Sequence, residues 1–420
     1  MHSATAALEL PPSQARPQRS LTRIVFNGFD IVMLAISMIV ICSSTYWKVQ
    51  GPTILLGFVT LCIVHTTIGY VSNRIVYKSR SLALFSVVGA CYIILSYLRW
   101  LVGEPKFFLQ EYILRMGYFV LVIYPISSSF YLLFRKTIAA NYVRRLAIIG
   151  IISSICASIA AYIFPSYDGH WNIEGTEADL FSTIYLTLNY NIANVSILFF
   201  WSALFILKDT KYVKFLVPIF MLTSDSAQFI VLGAMSTFIL LYRHPTKIAK
   251  PLGFLVIFGF LGSAVLLYMF GSQIGLDPNT SHRATWWIEA LKAVINNGGL
   301  GLGFGADSTT DFIVEDRFQM LGKWGNLPIH VIHNDFVYSI YATGFVGGAI
   351  FLIFHLIHLP PKSKVEREYD RHAVIMYVSA CLTMSANSAL VSPVLLVGIC
   401  WIYGYLAALR DSTSVLHGMK

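Results

Sequence analysis

His330 and His333 stand three residues apart in "LPIHVIHNDF", and Asn334 and Asp335 follow directly. Imidazole is the side chain whose unperturbed pKa suits taking a proton near neutral pH. Three chemistries fit the pattern. A zinc pair at i, i+3 needs a third ligand, for which only Asp335 or His282 is near, and no His-Glu-x-x-His pattern is present. Asn334 or Asp335 can instead cap the helix that follows. The third chemistry is a general base at the mouth of a cavity. Just after these four residues the chain becomes almost wholly apolar to Leu356. The polar group therefore sits at the lip of an expected membrane helix.

A second chemical group lies upstream. "SHRATWWIEALKAVINN", Ser281 to Asn297, has apolar residues at 286, 287, 290, 291, 294 and 295, which is helical spacing. Glu289 and Lys292 mark its polar face, and two tryptophans suit a helix lying at a membrane interface. Arg283 stands at its start, where backbone N–H groups also point outward. A guanidinium at a helix N-terminus suits an anionic group such as a phosphate; the alternative is an Arg that meets lipid headgroups. "NNGGLGLGFGAD", Asn296 to Asp307, follows. No strand precedes it and no Gly-Lys-Ser/Thr follows it, so it is not a nucleotide loop. Its glycines let a loop turn tightly and approach a ligand or another helix.

The elements that must position these groups are membrane helices. The chain has 420 residues, 56% of them hydrophobic and 12% charged, with a mean hydropathy of +0.67. This is the composition of an all-α, polytopic transmembrane bundle. Apolar windows fall at 24–45, 52–71, 81–101, 112–134, 145–164, 183–207, 211–224, 226–242, 252–271, 336–358, 372–390 and 392–409, which makes twelve spans. With both termini cytoplasmic, 22 of the 30 Lys and Arg residues fall on the cytoplasmic side. Merging 211–242 into one span nearly equalises the two sides. Two short helices are therefore expected there, meeting at Ser224, Asp225 and Ser226. Such a polar break in a membrane is tolerated where it faces protein or a wet cavity. The expected organisation is a cytoplasmic tail over 1–23, spans one to nine over 24–271, a periplasmic catalytic loop over 272–335, spans ten to twelve over 336–409 and a cytoplasmic tail over 410–420. The polar, Pro-containing start is not a cleavable signal. All six cysteines lie in apolar runs, which argues against a disulfide framework and a cysteine metal site. The net charge of +9 is scattered through short loops, so topology rather than nucleic acid explains it.

The order of these features resembles one known family. A short helix pair around a Ser-containing turn is followed by "HRATWWIEALKAV", then "GLGLGFG", then "HN" entering a helix with "TGFVGG". Over about 211–358 this is similar to the bacterial O-antigen ligase and Wzy-type polysaccharide polymerase superfamily, membrane glycosyltransferases related to the GT-C class. The resemblance implies an inner-membrane enzyme with its site facing the periplasm. It would take a glycan from undecaprenyl diphosphate and pass it to an acceptor hydroxyl on a glycan or glycolipid, with no cofactor and no metal. A flippase and a chain-length regulator are the implied partners besides membrane lipid. Arg283 matches the family's loop arginine at the diphosphate, and His333 the histidine proposed as catalytic base. Members often carry an arginine in the turn between the short helices. Here the turn reads Ser224-Asp225-Ser226-Ala227-Gln228, so a second phosphate contact must come from elsewhere. Arg99 and Arg115, at the ends of spans three and four, are the candidates; His330, Asn334, Asp225 and Gln228 complete the expected substrate-binding set.

The chemistry is consistent with this. Transfer from a diphosphate needs stabilisation of the charge that develops on the leaving group, which preorganised arginines supply. A histidine base typically contributes about 10²–10⁴-fold. The first extracytoplasmic loop, "STYWKVQGP", has no acid, so a metal-using GT-C relative is disfavoured. The missing arginine favours polymerase, with ligase as the alternative. A secondary transporter would also show a broken helix pair, but no internal repeat relates the two halves. Nothing supports the acyl-CoA site of a membrane acyltransferase.

Overall fold

The computed structural model describes residues 28–42, 44–73, 76–104, 110–139, 227–274, 278–306, 332, 334–360, 367–386 and 393–417. Among the described residues every regular element is a helix. In chain order they are α1 (Gly28–Cys42), α2 (Ser44–Asn73), α3 (Arg80–Leu101), α4 (Gln110–Ala139), α5 (Ala227–Leu241), α6 (Pro245–Ile274), α7 (Pro278–Asn296), α8 (Asp335–Ile357), α9 (Arg367–Ala386) and α10 (Pro393–His417). Five of them, α2, α3, α4, α6 and α8, contain stretches long and apolar enough to cross a membrane, and α1 and α5 contain shorter apolar stretches. The protein is a polytopic helical protein. The expected spans at 145–164, 183–207 and 211–224 lie outside the described residues.

Burial sorts the helices into a centre and a rim. α10 is buried at every position from Leu395 to Leu406, and α9 at every position from His372 to Ala386. Aromatic rings join α4 to α10: Phe130 and Phe134 meet Trp401 edge-on at 5.0 and 4.5 Å, and Phe134 meets Tyr405 at 5.1 Å. Each such pair contributes about 0.5–1.5 kcal/mol beyond the area it buries. α3 lies on the rim. It buries Leu82, Phe85, Gly89, Ile93 and Ser96, at the three- and four-residue spacing of one helix face. Leu84, Val87, Ile94 and Leu98 on its other face remain exposed, an apolar surface of the kind lipid covers.

Four polar side chains are sealed among α1, α2 and α4. Lys136 donates to both carboxylate oxygens of Asp30 at 2.8 and 3.0 Å. Nε2 of His65 lies 2.9 Å from the same carboxylate, and its Nδ1 lies 2.8 Å from the Ser129 hydroxyl. None of the four is more than 2% exposed. Buried charges persist where each has a partner, and here the carboxylate has two.

The largest departure from the sequence expectation is α8. Residues 336–358 are expected as one straight span, and length and composition agree. The backbone breaks at Gly344, with φ 73° and ψ −178°. The two arms then fold side by side. The Phe336 ring lies 5.7 Å from Phe351 and 5.4 Å from His355. In a straight helix residues 336 and 355 would be separated by about 28 Å. α8 is therefore a hairpin whose tip is the Thr343–Gly344 turn. Its second arm runs from that tip past Phe85 of α3, at 4.9 Å from Phe351, to His358, which pairs with the Tyr77 hydroxyl at 2.7 Å.

Candidate functional site

The glycine-rich loop after α7 docks onto the tip of this hairpin through its backbone. Leu302 N–H donates to the Tyr341 carbonyl at 2.8 Å, Gly303 N–H to the Ala342 carbonyl at 3.1 Å, and Phe345 N–H to the Gly299 carbonyl at 3.0 Å. These bonds satisfy backbone groups that the break in α8 leaves without helical partners. The approach is too close for side chains. A Cβ at Gly301 would lie 2.3 Å from the Ala342 carbonyl oxygen, and one at Gly344 would lie 2.7 Å from Gly301 N. Of the two partners that the glycines allow, a ligand or another helix, the loop meets a helix.

One face of α3 holds the loop from the other side. The Tyr92 hydroxyl accepts from Gly301 N–H at 3.2 Å, and the Ser96 hydroxyl accepts from Phe304 N–H at 2.9 Å. Arg99 donates to the Leu302 carbonyl at 2.6 Å. Tyr92, Ser96 and Arg99 recur at i, i+4 and i+7, so they form one stripe along the helix. Glu104 grips the remaining edge of the Arg99 guanidinium as a two-point pair. Arg99, a candidate diphosphate contact by sequence, clasps α3 to the loop in the structure. The stripe is visible in the sequence as three polar residues at helical spacing, but nothing there shows that its partner lies some 200 residues away.

Asn334 caps the first arm of α8. Its Oδ1 accepts from Phe336 N–H and Val337 N–H, each at 3.0 Å, which is the capping role weighed from the sequence. It is not at a rim. It is 1% exposed and enters α8 at the level of Phe351 and His355, well below the hairpin tip. Its Nδ2 has no hydrogen-bond partner. Asp335 beside it is fully buried. The first arm is anchored further along, where the Tyr338 hydroxyl donates to the Met116 carbonyl of α4 at 3.2 Å.

Arg283 lies in the second turn of α7, Arg115 in the second turn of α4 and Gln228 in the first turn of α5. His333, His330 and Asp225 lie outside the described residues. α7 packs on α6 and on α8, with Ala284, Trp287, Ala290 and Val294 as its buried face. Of the two tryptophans expected at the interface, Trp287 is buried against Phe260 of α6, with ring centroids 6.3 Å apart, and its indole N–H has no partner. On the opposite face Lys292 donates to Glu289 and to the Tyr268 hydroxyl of α6, each at 2.7 Å. The hydrogen bond to Glu289, then that to Tyr268, hold its ammonium pKa above the ordinary lysine range. Among the described residues no group of three His, Cys, Asp or Glu could hold a metal ion. Cys62, Cys91, Cys381 and Cys400 are unpaired.

This frame coincides with a known domain. Residues 213–352 match the family model described as O-antigen ligase. The segment is a domain of the O-antigen ligase and Wzy-type polymerase superfamily. The matched region runs from the segment before α5 to the middle of the second arm of α8, close to the 211–358 over which the sequence resembles that family. It therefore contains the short helix α5, α6, α7, the glycine-rich loop and the hairpin tip. No curated protein and no solved structure matches the chain significantly. The superfamily domain marks a membrane protein of polysaccharide biosynthesis, glycosyltransferase-like and acting on lipid-linked glycans.

Proposed function

We propose that this O-antigen ligase-family protein is a polysaccharide polymerase of the bacterial inner membrane. It transfers an undecaprenyl-diphosphate-linked glycan to a hydroxyl of a lipid-linked repeat unit, and its site faces the periplasm. The observation that carries the reading is the family match over 213–352, the same segment that supplies Arg283, the glycine-rich loop and the approach to His333. In the reaction the acceptor oxygen attacks the anomeric carbon from the face opposite the diphosphate. The carbon–oxygen bond to the diphosphate breaks, the anomeric centre inverts, and undecaprenyl diphosphate leaves. His333 takes the hydroxyl proton. Arg283 meets the charge that develops on the leaving group. Asn334, His330, Arg115, Asp225 and Gln228 line the substrate path. Arg99 acts one step back, by holding the loop that joins α7 to α8.

Orientation rests on the charge distribution over spans one to nine, with the N-terminal tail cytoplasmic and α7 and the glycine-rich loop outside; α8, which turns back at Gly344, adds no crossing to that count. The step as written needs neither a metal nor a cofactor. Flippase and chain-length regulator are the partners such a polymerase needs. The cation-free turn at 224–228 favours polymerase over ligase. The test is deletion of the gene and complementation with wild type, Arg283→Ala or His333→Ala, followed by gel analysis of surface polysaccharide. Loss of long chains on every acceptor with accumulation of lipid-linked single repeats supports the polymerase. Loss from lipid A–core alone makes the protein a ligase. Unchanged chain length in both variants overturns the reading, and loss of solute uptake instead makes it a transporter.

A further inference from the structure

Phe304 is the single aromatic of "GLGLGFG", and it is fully buried. The Ser96 hydroxyl of α3 holds its N–H, and its ring meets Phe119 of α4 edge-on at 5.8 Å. Gly117 makes room for that ring: a Cβ there would lie 3.0 Å from Phe304 Cγ. The same turn of α4 receives the first arm of α8. The Tyr338 ring lies 6.3 Å from Phe119 and 6.4 Å from Phe304. Its hydroxyl donates to the Met116 carbonyl at 3.2 Å. The end of the glycine-rich loop and the start of α8 are thus keyed to one turn of α4, Met116 to Phe119.

A hydroxyl sealed from water needs an acceptor. A carbonyl inside a helix can supply one, because its two lone pairs can serve a helical N–H and a side chain together. Ring contacts tolerate sliding, whereas a hydrogen bond weakens steeply with distance and angle. The Tyr338 hydroxyl therefore fixes the height of the arm on α4, and the Phe304 ring closes the space beside it. The turn held in this way begins at Asn334, whose carbonyl accepts from Tyr338 N–H at 2.8 Å. Asn334 follows His333 directly in the sequence, and its Nδ2 is a buried donor with no protein partner.

We propose that Tyr338 and Phe304 are positioning residues for the transfer step, pinning the first turn of α8 to α4 so that the residues opening that arm meet the substrate at a fixed place. The inference rests on the reading that His333 takes the acceptor proton, and it names the side chains that hold its neighbours. Neither residue touches the reacting atoms.

The test is turnover of a purified undecaprenyl-diphosphate-linked repeat by the full chain in lipid nanodiscs, with kcat and KM measured for each variant. Tyr338→Phe keeps the ring against Phe119 and Phe304 and removes only the bond to Met116. It is expected to lower kcat about tenfold or more with KM held within about twofold, because misplacing a reacting group by about 1 Å can cost about 10²-fold. Phe304→Leu is expected to lower kcat in the same way, and the double variant to lose little more than the worse single, since both act through one turn. Tyr77→Phe is the comparison. It removes a buried hydroxyl bond of the same kind, to His358 at the far end of α8, and is expected to leave kcat unchanged. Equal loss of kcat in Tyr77→Phe and Tyr338→Phe makes the effect one of general packing and overturns the inference. Unchanged kcat in Tyr338→Phe, or a loss carried by KM alone, overturns it too. Wild type that turns over no repeat overturns the proposed function itself and the role of Tyr338 with it, which separates the two failures.

Discussion

At the residue scale, the structure redistributes work among side chains that look alike in sequence. Arg99 and Arg115 both stand at helix ends, and both are plausible phosphate ligands by type. Arg99 is held by the Leu302 carbonyl and by Glu104, contacts through which its charge orders the loop. Arg99→Ala should therefore shorten surface polysaccharide without changing the affinity for undecaprenyl diphosphate. Arg99→Lys should rescue only in part, because an ammonium cannot reproduce the two-point pair with Glu104 while reaching the loop. Equal loss of lipid affinity and chain length in Arg99→Ala would return the residue to the diphosphate. Lys292 carries a smaller prediction. Its pKa is raised by Glu289 and Tyr268, so the tie between α6 and α7 is complete below the ordinary lysine pKa and fades as pH rises through the raised value. Thermal unfolding in detergent should show no Lys292-dependent change between pH 6 and 9. Lys292→Met should shift the midpoint little, since an exposed pair of this kind contributes little. A clear Lys292-dependent drop within that window would show that the pair carries more than its exposure implies.

At the element scale, the helices were legible and the hairpin was not. Windows of apolar residues place both ends of α3 and α5 to within one residue, because membrane helices must satisfy their own backbone over a fixed thickness, whereas α4 runs five residues past its window at the C-terminal end and α6 starts seven residues before its own. The same reasoning misreads α8. "TGFVGG" is as apolar as any span, and hydropathy carries no sign of φ. The signal was present only as an unexplained pair of glycine clusters, 298–305 and 344–348, which prove to be the two halves of one joint. Gly344→Ala should therefore cost more than its helix propensity would suggest. A residue with a side chain at φ 73° is strained by about 1–3 kcal/mol, and its Cβ would also press on Gly299 and Gly301. Gly301→Ala meets the Ala342 carbonyl and should behave alike. Gly57→Ala, where nothing lies within 4 Å, is the control and should be neutral or stabilising. Thermal unfolding of the three variants checks this, and equal midpoints would mean that the loop does not dock as described.

At the scale of the whole molecule, two parts of the bundle do different jobs. α1, α2 and α4 are fastened by the sealed group of Asp30, His65, Lys136 and Ser129, whose bonded pairs lie 35, 64 and 106 positions apart in the sequence. Asp30→Asn leaves a buried ammonium without its carboxylate and should destabilise by about 3–5 kcal/mol. Asp30→Asn combined with Lys136→Met should recover part of that loss in thermal unfolding; a double variant worse than the single would show that the pair is not the fastener. The family domain, α5 to α8, carries the proposed chemistry, and the α3 stripe joins the two parts. The residues proposed for the reacting step come from the order of motifs alone, whereas the clasp, the buried indole and the hairpin depend on contacts between distant segments. The central claim is that Arg283 and His333 act on one diphosphate–sugar junction. The most direct measurement is turnover of a purified undecaprenyl-diphosphate-linked repeat by the full chain in lipid nanodiscs, following release of undecaprenyl diphosphate and the anomeric configuration of the product. The account predicts stoichiometric release with inversion for the wild type, and loss of at least about a hundredfold in rate for His333→Ala. Retention of configuration, or wild-type rates in His333→Ala and Arg283→Ala, would contradict it.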